Sequence, residues 1–177
     1  MLFRSPTIQL MNTETVQEEN SLLAKLARLT LILACVALVG VALVEGWQVF
    51  ARYVLGNSPS WTEPVALLFM STAMMGGAAI GVRGNRHFGF FMLVEHSPPT
   101  VRRVLQLMPM AIATAVGVIF LFAGGHLVTE SWDFPMAGAP LPQGVVYLPI
   151  CIGGALIAIF AIERLVALHR SHSAKTL

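Results

Sequence analysis

Four long apolar blocks constrain this chain more than any other feature. They run from Leu29 to about Val54, from Pro64 to Val82, from Val104 to Val128 and from Val145 to Leu168. A hydrocarbon layer about 30 Å thick takes about 20 helical residues at 1.5 Å each, and each block supplies roughly that length. A soluble helix would carry a polar face at helical spacing, and these blocks have none. Only 11% of the 177 residues are charged, against about 25% in an ordinary soluble domain. A soluble globular fold is excluded. The expected fold is an all-α integral membrane protein with four transmembrane helices, spanning about residues 29–54, 62–83, 103–129 and 144–168.

Lys and Arg give the expected orientation, because cytoplasmic segments are enriched in them. Ten of the eleven lie in the N-terminal segment, the second connection and the C-terminal end, leaving only Arg52 for the first and third connections. The expected topology is therefore N-in/C-in. Residues 1–24 read as a mobile cytoplasmic segment with no cleavable signal, since an apolar h-region and a small-residue cleavage site are missing. Leu22, Leu23, Leu26 and Leu29 recur at helical spacing and suggest an amphipathic lead-in to the first span. Residues 170–177 read as a cytoplasmic tail, and residues 25–169 as a single transmembrane domain.

The connections carry further signals. Phe88, Phe90, Phe91, Met92, Leu93 and Val94 are too few to span and too apolar for water, so a short cytoplasmic in-plane helix is expected between spans 2 and 3. The third connection has three prolines, two acids and no base, with Trp132 and Phe134 at the interfacial depth that aromatic belts prefer.

Charge inside a span is costly and so informative. Glu45 falls past the middle of the first span toward its outer end. Arg52 lies seven residues later on the same helix face, and Glu63 opens the second span. Arg52 and Glu63 are expected to pair across the short loop, with Glu45 joining through the long arginine side chain. A lock between two helices is favoured over contact with a second protein and over an ion- or proton-coupling site, because coupling relays distribute several ionisable groups through the hydrocarbon.

Catalysis and cofactors have little support. His126 lies at the outer end of the third span, whereas His87, His96, His169 and His172 lie on the opposite side, so a bis-histidine haem is disfavoured. Cys35 and Cys151 sit in apolar blocks without metal-ligand spacing and read as small apolar residues. Known catalytic and phosphate-binding motifs are missing, and the net charge of +2 comes without a basic stripe for nucleic acid. No enzyme activity, cofactor or metal is expected. Small residues mark the later spans instead: Gly76, Gly77 and Gly81, then Gly117, Gly124 and Gly125, then Gly153 and Gly154. Membrane helices approach closely at such positions, and spacing alone leaves open whether the neighbour belongs to this chain or to a partner.

The order of residues across Gln48–Leu93 resembles the small membrane subunit (DctQ-like) of the tripartite ATP-independent periplasmic (TRAP) transporters. Phe50, Arg52 and Tyr53 match that family's F-x-R-Y end to span 1, and Trp61 and Glu63 its W-x-E opening of span 2. Gly77, Ala78, Arg83 and His87 match a G-A pair and an arginine shortly before histidine at the cytoplasmic exit. Pro98 to Arg103, and then Pro142, Tyr147 and Pro149, resemble the openings of spans 3 and 4. The resemblance implies a bacterial inner-membrane scaffold subunit whose partners are a large TRAP permease subunit and a periplasmic substrate-binding protein, in sodium-driven uptake of an organic acid. On that reading Glu45, Arg52, Tyr53, Trp61, Glu63, Gly77, Arg83 and His87 serve structure and partner contact. The alternatives are a stand-alone four-helix redox or haem protein and a small channel.

Overall fold

The computed structural model describes residues 22–84 and 99–173, with side chains for 22–84 and 107–167. The in-plane segment, His87 and most of residues 1–24 lie outside the described residues. What is described is helical: α1 (Leu22–Val54), α2 (Thr62–Gly84), α3 (Pro99–Glu130) and α4 (Leu148–Ser173), with a short 3-10 helix (Gln143–Tyr147) leading into α4. Each contains a stretch long and apolar enough to cross a membrane, with mean hydropathy between 1.9 and 2.5.

α1 begins at Leu22, seven residues before the apolar block, so the leucine lead-in continues directly into the span. Lys25 and Arg28 do not stop it, because charge ends a hydrocarbon crossing but not a helix. Pro109 lies inside α3. α2 and α4 place Pro64 and Pro149 in their first turns, where the missing amide proton costs no hydrogen bond.

The helices form a row and not a closed bundle. α1 packs on α2, α2 on α4, and α4 on α3, so the chain order 1–2–3–4 becomes the spatial order 1–2–4–3. α1 and α3 are the outer members, and each has one principal neighbour. The residues buried on α1 are all small: Ala27, Thr30, Ala34, Ala37 and Ala51. Most of them recur at alternating steps of three and four, the spacing of a seam between helices packed at a shallow angle. Close backbone approach replaces side-chain interdigitation here, as expected where lipid removes the hydrophobic drive for helices to associate.

The small-residue question now has a two-part answer. Gly76, Gly117, Gly124, Gly153 and Gly154 face this chain's own helices. Gly77 and Gly81 face open space. A core cluster of Ala27, Ala79, Ile157 and Phe160 joins α1, α2 and α4 near the exits of α2 and α4.

The first connection is closed by its backbone. Leu55 and Asn57 amides donate to the Ala51 carbonyl, and Gly56 takes a positive φ of 67°, a helix C-terminal cap that suits glycine. Thr62, fully buried, donates its hydroxyl to Pro59 O at 2.8 Å ahead of α2. The third connection folds back on itself through Met136 N–Leu141 O and Gln143 N–Phe134 O bonds. Gly138, at φ 87°, packs on Ser60, whose hydroxyl donates to Gly138 O at 3.3 Å. First and third connections therefore meet at one end of the row.

Candidate functional site

Inter-helix contacts fix which residues share a level along the helix axes. Gly76 of α2 lies between Thr30 and Ala34 of α1. Thirteen residues separate Gly76 from Glu63, and the same number separates the midpoint of Thr30 and Ala34 from Glu45. Glu45 and Glu63 therefore stand level to within about one turn. The contact of Gly40 with the Phe69 ring agrees with that register. On the other side, Gly153 of α4 packs on Met75, which brings Gly144 and the adjoining Trp132 to the same level. Trp47, Trp61 and Trp132, the three tryptophans of the chain, gather at this end, all exposed. Such rings favour the boundary between headgroups and hydrocarbon.

At the other end stands a charge cluster. Arg83 Nε donates to Glu163 Oε2 at 3.3 Å, with side chains 19% and 22% exposed. Arg164 Nε donates to the Arg83 carbonyl at 2.8 Å, satisfying one of the acceptors left open at the end of α2. The Arg83 guanidinium also lies 5.7 Å from the centre of the Phe160 ring, which is fully buried. The cluster ties the exits of α2 and α4 together. Between Glu63 and Arg83 lie 19 uncharged residues, about 30 Å of helix and one hydrocarbon thickness.

This geometry corrects the expected outer lock. Glu45 lies past the middle of α1 toward its outer end, level with the first turn of α2. α1 continues for nine residues beyond it to Val54, so Arg52 rises roughly 10 Å above Glu63. Arg52, Glu45 and Glu63 are all exposed, and none of them forms an ion pair among the described residues. The short loop suggested a pair, but the overhang of α1 separates its members.

The other expected positions divide by exposure. Tyr53 and Trp61 are exposed at the tryptophan end, and Gly77 is exposed with nothing within 4 Å of a Cβ placed there. Arg83 is the one brought into a cluster, and its partners Glu163, Arg164 and Phe160 were not singled out as a site from sequence. The available signal was Glu163 itself, an acid in the otherwise basic final turns of the last span. Cys35 and Cys151 are free, on different helices; the Cys151 thiol donates to Leu121 O at 3.6 Å.

Inside the spans the polar groups serve the helices. Thr30, Thr72 and Thr114 donate to the carbonyls of Leu26, Leu68 and Met110, four residues back. Gln48 differs, since its Oε1 is buried without a hydrogen-bond partner among the described residues. A buried unpaired acceptor costs about 1–3 kcal/mol. Gln48→Met, which keeps the length and removes the polar atom, is expected to raise stability by about 1 kcal/mol. A thermal melt of the purified chain in detergent checks this, and an unchanged or lower midpoint would count against it.

Comparison with known proteins agrees with the arrangement. Residues 41–171 match the family described as tripartite ATP-independent periplasmic transporters, DctQ component. The chain is also similar to the sialic acid TRAP transporter small permease protein SiaQ of Vibrio cholerae serotype O1, with 22% identity over 121 residues, covering 67% of this chain and 69% of that one. With four apolar spanning helices and a match over most of its length, the chain belongs to the DctQ family, the small permease components of TRAP transporters.

Proposed function

We propose that this small permease is a static scaffold for a large TRAP permease subunit, which carries out sodium-driven uptake of an organic acid delivered by a periplasmic substrate-binding protein. One observation carries the reading. The acids and arginines of the described spans sit toward the two ends, Thr30, Thr72 and Thr114 are spent on their own helix, and the row of four helices encloses no lumen among the described residues. Substrate and ion sites then fall to the partner chain. The charge bias sets the tryptophan end outside and the Arg83 end in the cytoplasm, giving an N-in, C-in protein of the bacterial inner membrane. The domain limits and the in-plane helix around His87 are part of the same proposal.

Glu45, Arg52, Tyr53, Trp61, Glu63 and Gly77 are exposed in the isolated chain, which suits contact with a partner or with headgroups. Glu63→Ala is expected to lower the yield of complex with the large subunit by about tenfold, equivalent to 1.4 kcal/mol, and to leave the apparent substrate affinity of the surviving complex unchanged. Co-purification followed by uptake into proteoliposomes measures both. An unchanged yield with an altered sodium requirement would instead give this chain a part in coupling.

A further inference from the structure

The outward face of α3 carries a polar pair that the scaffold reading does not yet use. His126 Nδ1 and Glu130 Oε2 are 3.2 Å apart, one helical turn from each other, with side chains 70% and 63% exposed. The register locates the pair. Gly124 packs on the Cys151 backbone, and Cys151 stands two residues from Gly153, which touches Met75. His126 is thus level with the outer half of α2, six residues short of Trp132, or roughly 9 Å inside the tryptophan level. Its neighbours on the same face, Phe122 and Ile119, are 72% and 61% exposed. The surroundings at that depth are hydrocarbon unless protein covers them.

His126 stands at that depth, and Glu130, two residues short of Trp132, stands about 3 Å inside the tryptophan level; ionisable groups within the hydrocarbon almost always face protein or a water-filled cavity. α3 is an outer member of the row, with α4 on its other side, so among the described residues no helix covers the pair. Charge defines what can. Glu130 is followed by Asp133, and the stretch from Gly124 to Gly144 holds no Lys or Arg. A second copy across a two-fold axis would set His126 and Glu130 against themselves, like against like. A cation or strong hydrogen-bond donor is the complement.

We propose that the His126–Glu130 face of α3 is the surface on which the large permease subunit docks, through a membrane helix that presents an arginine or lysine to Glu130. This rests on the scaffold reading above. Glu130 accepts from that cation while His126 holds the carboxylate toward it, and Phe122 and Ile119 supply the apolar contact below.

The test uses the full chain co-expressed with a large TRAP permease subunit from the same organism. A photo-crosslinking residue is placed at Phe122 on α3, at Met74 on α2, or at Leu38 on α1. Crosslinking to the large subunit from position 122, with Glu130→Lys cutting complex yield at least several-fold and leaving the melting midpoint of the isolated chain in place, is the expected result. A complex that forms but crosslinks only from 74 or 38, or from 122 only to lipid or to a second copy, overturns the docking face and leaves the scaffold reading intact. Failure to obtain any complex from the unsubstituted chain overturns both.

Discussion

Glu163→Ala is expected to destabilise the protein by about 2 kcal/mol, because it leaves the Arg83 guanidinium partly buried without its carboxylate. Removing one partner of a fully buried pair costs about 3–5 kcal/mol. Here the two side chains keep 19% and 22% of their exposure, so water and headgroups recover part of the loss. For a chain of 177 residues that corresponds to a fall in melting temperature of about 4–8 °C. The stronger test is a double-mutant cycle. Arg83→Leu alone strands the carboxylate, whereas Arg83→Leu with Glu163→Leu removes both charges and restores an apolar contact with Phe160. The double variant is expected to melt above either single one. Additive losses would mean that the pair contributes no coupling and that the exits of α2 and α4 are held by Arg164 and packing alone.

That cluster also shows where reading the sequence stops. Block lengths and charge-free runs sufficed for four spans, because the bilayer demands one length of apolar helix and the chain meets it four times. The starts were less legible. α1 already runs through Leu22, ahead of the apolar block, because Lys25 and Arg28 are good helix formers that end a membrane crossing without ending a helix. Arg83 and Glu163 are 80 residues apart, and their contact depends on α2 and α4 being neighbours, which no local pattern encodes. The expected Arg52–Glu63 pair failed for a related reason. Loop length limits how far two helix ends can separate but not how far one helix overshoots the other, and α1 overshoots by more than two turns. Glycine spacing had the same ambiguity: Gly76 and Gly77 are adjacent in sequence, yet one meets Ala34 and the other meets nothing. The exposed residues shared with the family pattern, Arg52, Tyr53, Trp61 and Glu63, make no ion pair within the described chain.

Gly154→Leu is expected to have the largest effect of any single substitution in the spans. A Cβ at Gly154 would stand 2.6 Å from Leu121 N, 2.8 Å from Gly117 O and 2.8 Å from Phe120 Cβ. A Cβ at Gly117 would stand 2.7 Å from Ala158 N and 2.9 Å from Gly154 O. Two of these obstacles at each position are backbone and cannot rotate aside, so the helices must separate and lose dispersion contacts along the whole seam. Overpacking commonly costs about 1–3 kcal/mol and sometimes more. Gly154→Ala is placed in that range, and Gly154→Leu beyond it, with loss of folded chain from the membrane fraction. Gly77→Leu is the matched control. It adds the same side chain where nothing lies within 4 Å, and stability is expected to stay within about 0.5 kcal/mol of the parent. The pair of variants separates folding from assembly: a drop in complex yield with Gly77→Leu would report contact with a partner, because the described residues of the chain leave that face open. A Gly154→Ala chain as stable as its parent would mean that α3 does not approach α4 this closely in the membrane. The register that sets His126 inside the tryptophan level would then fall with it.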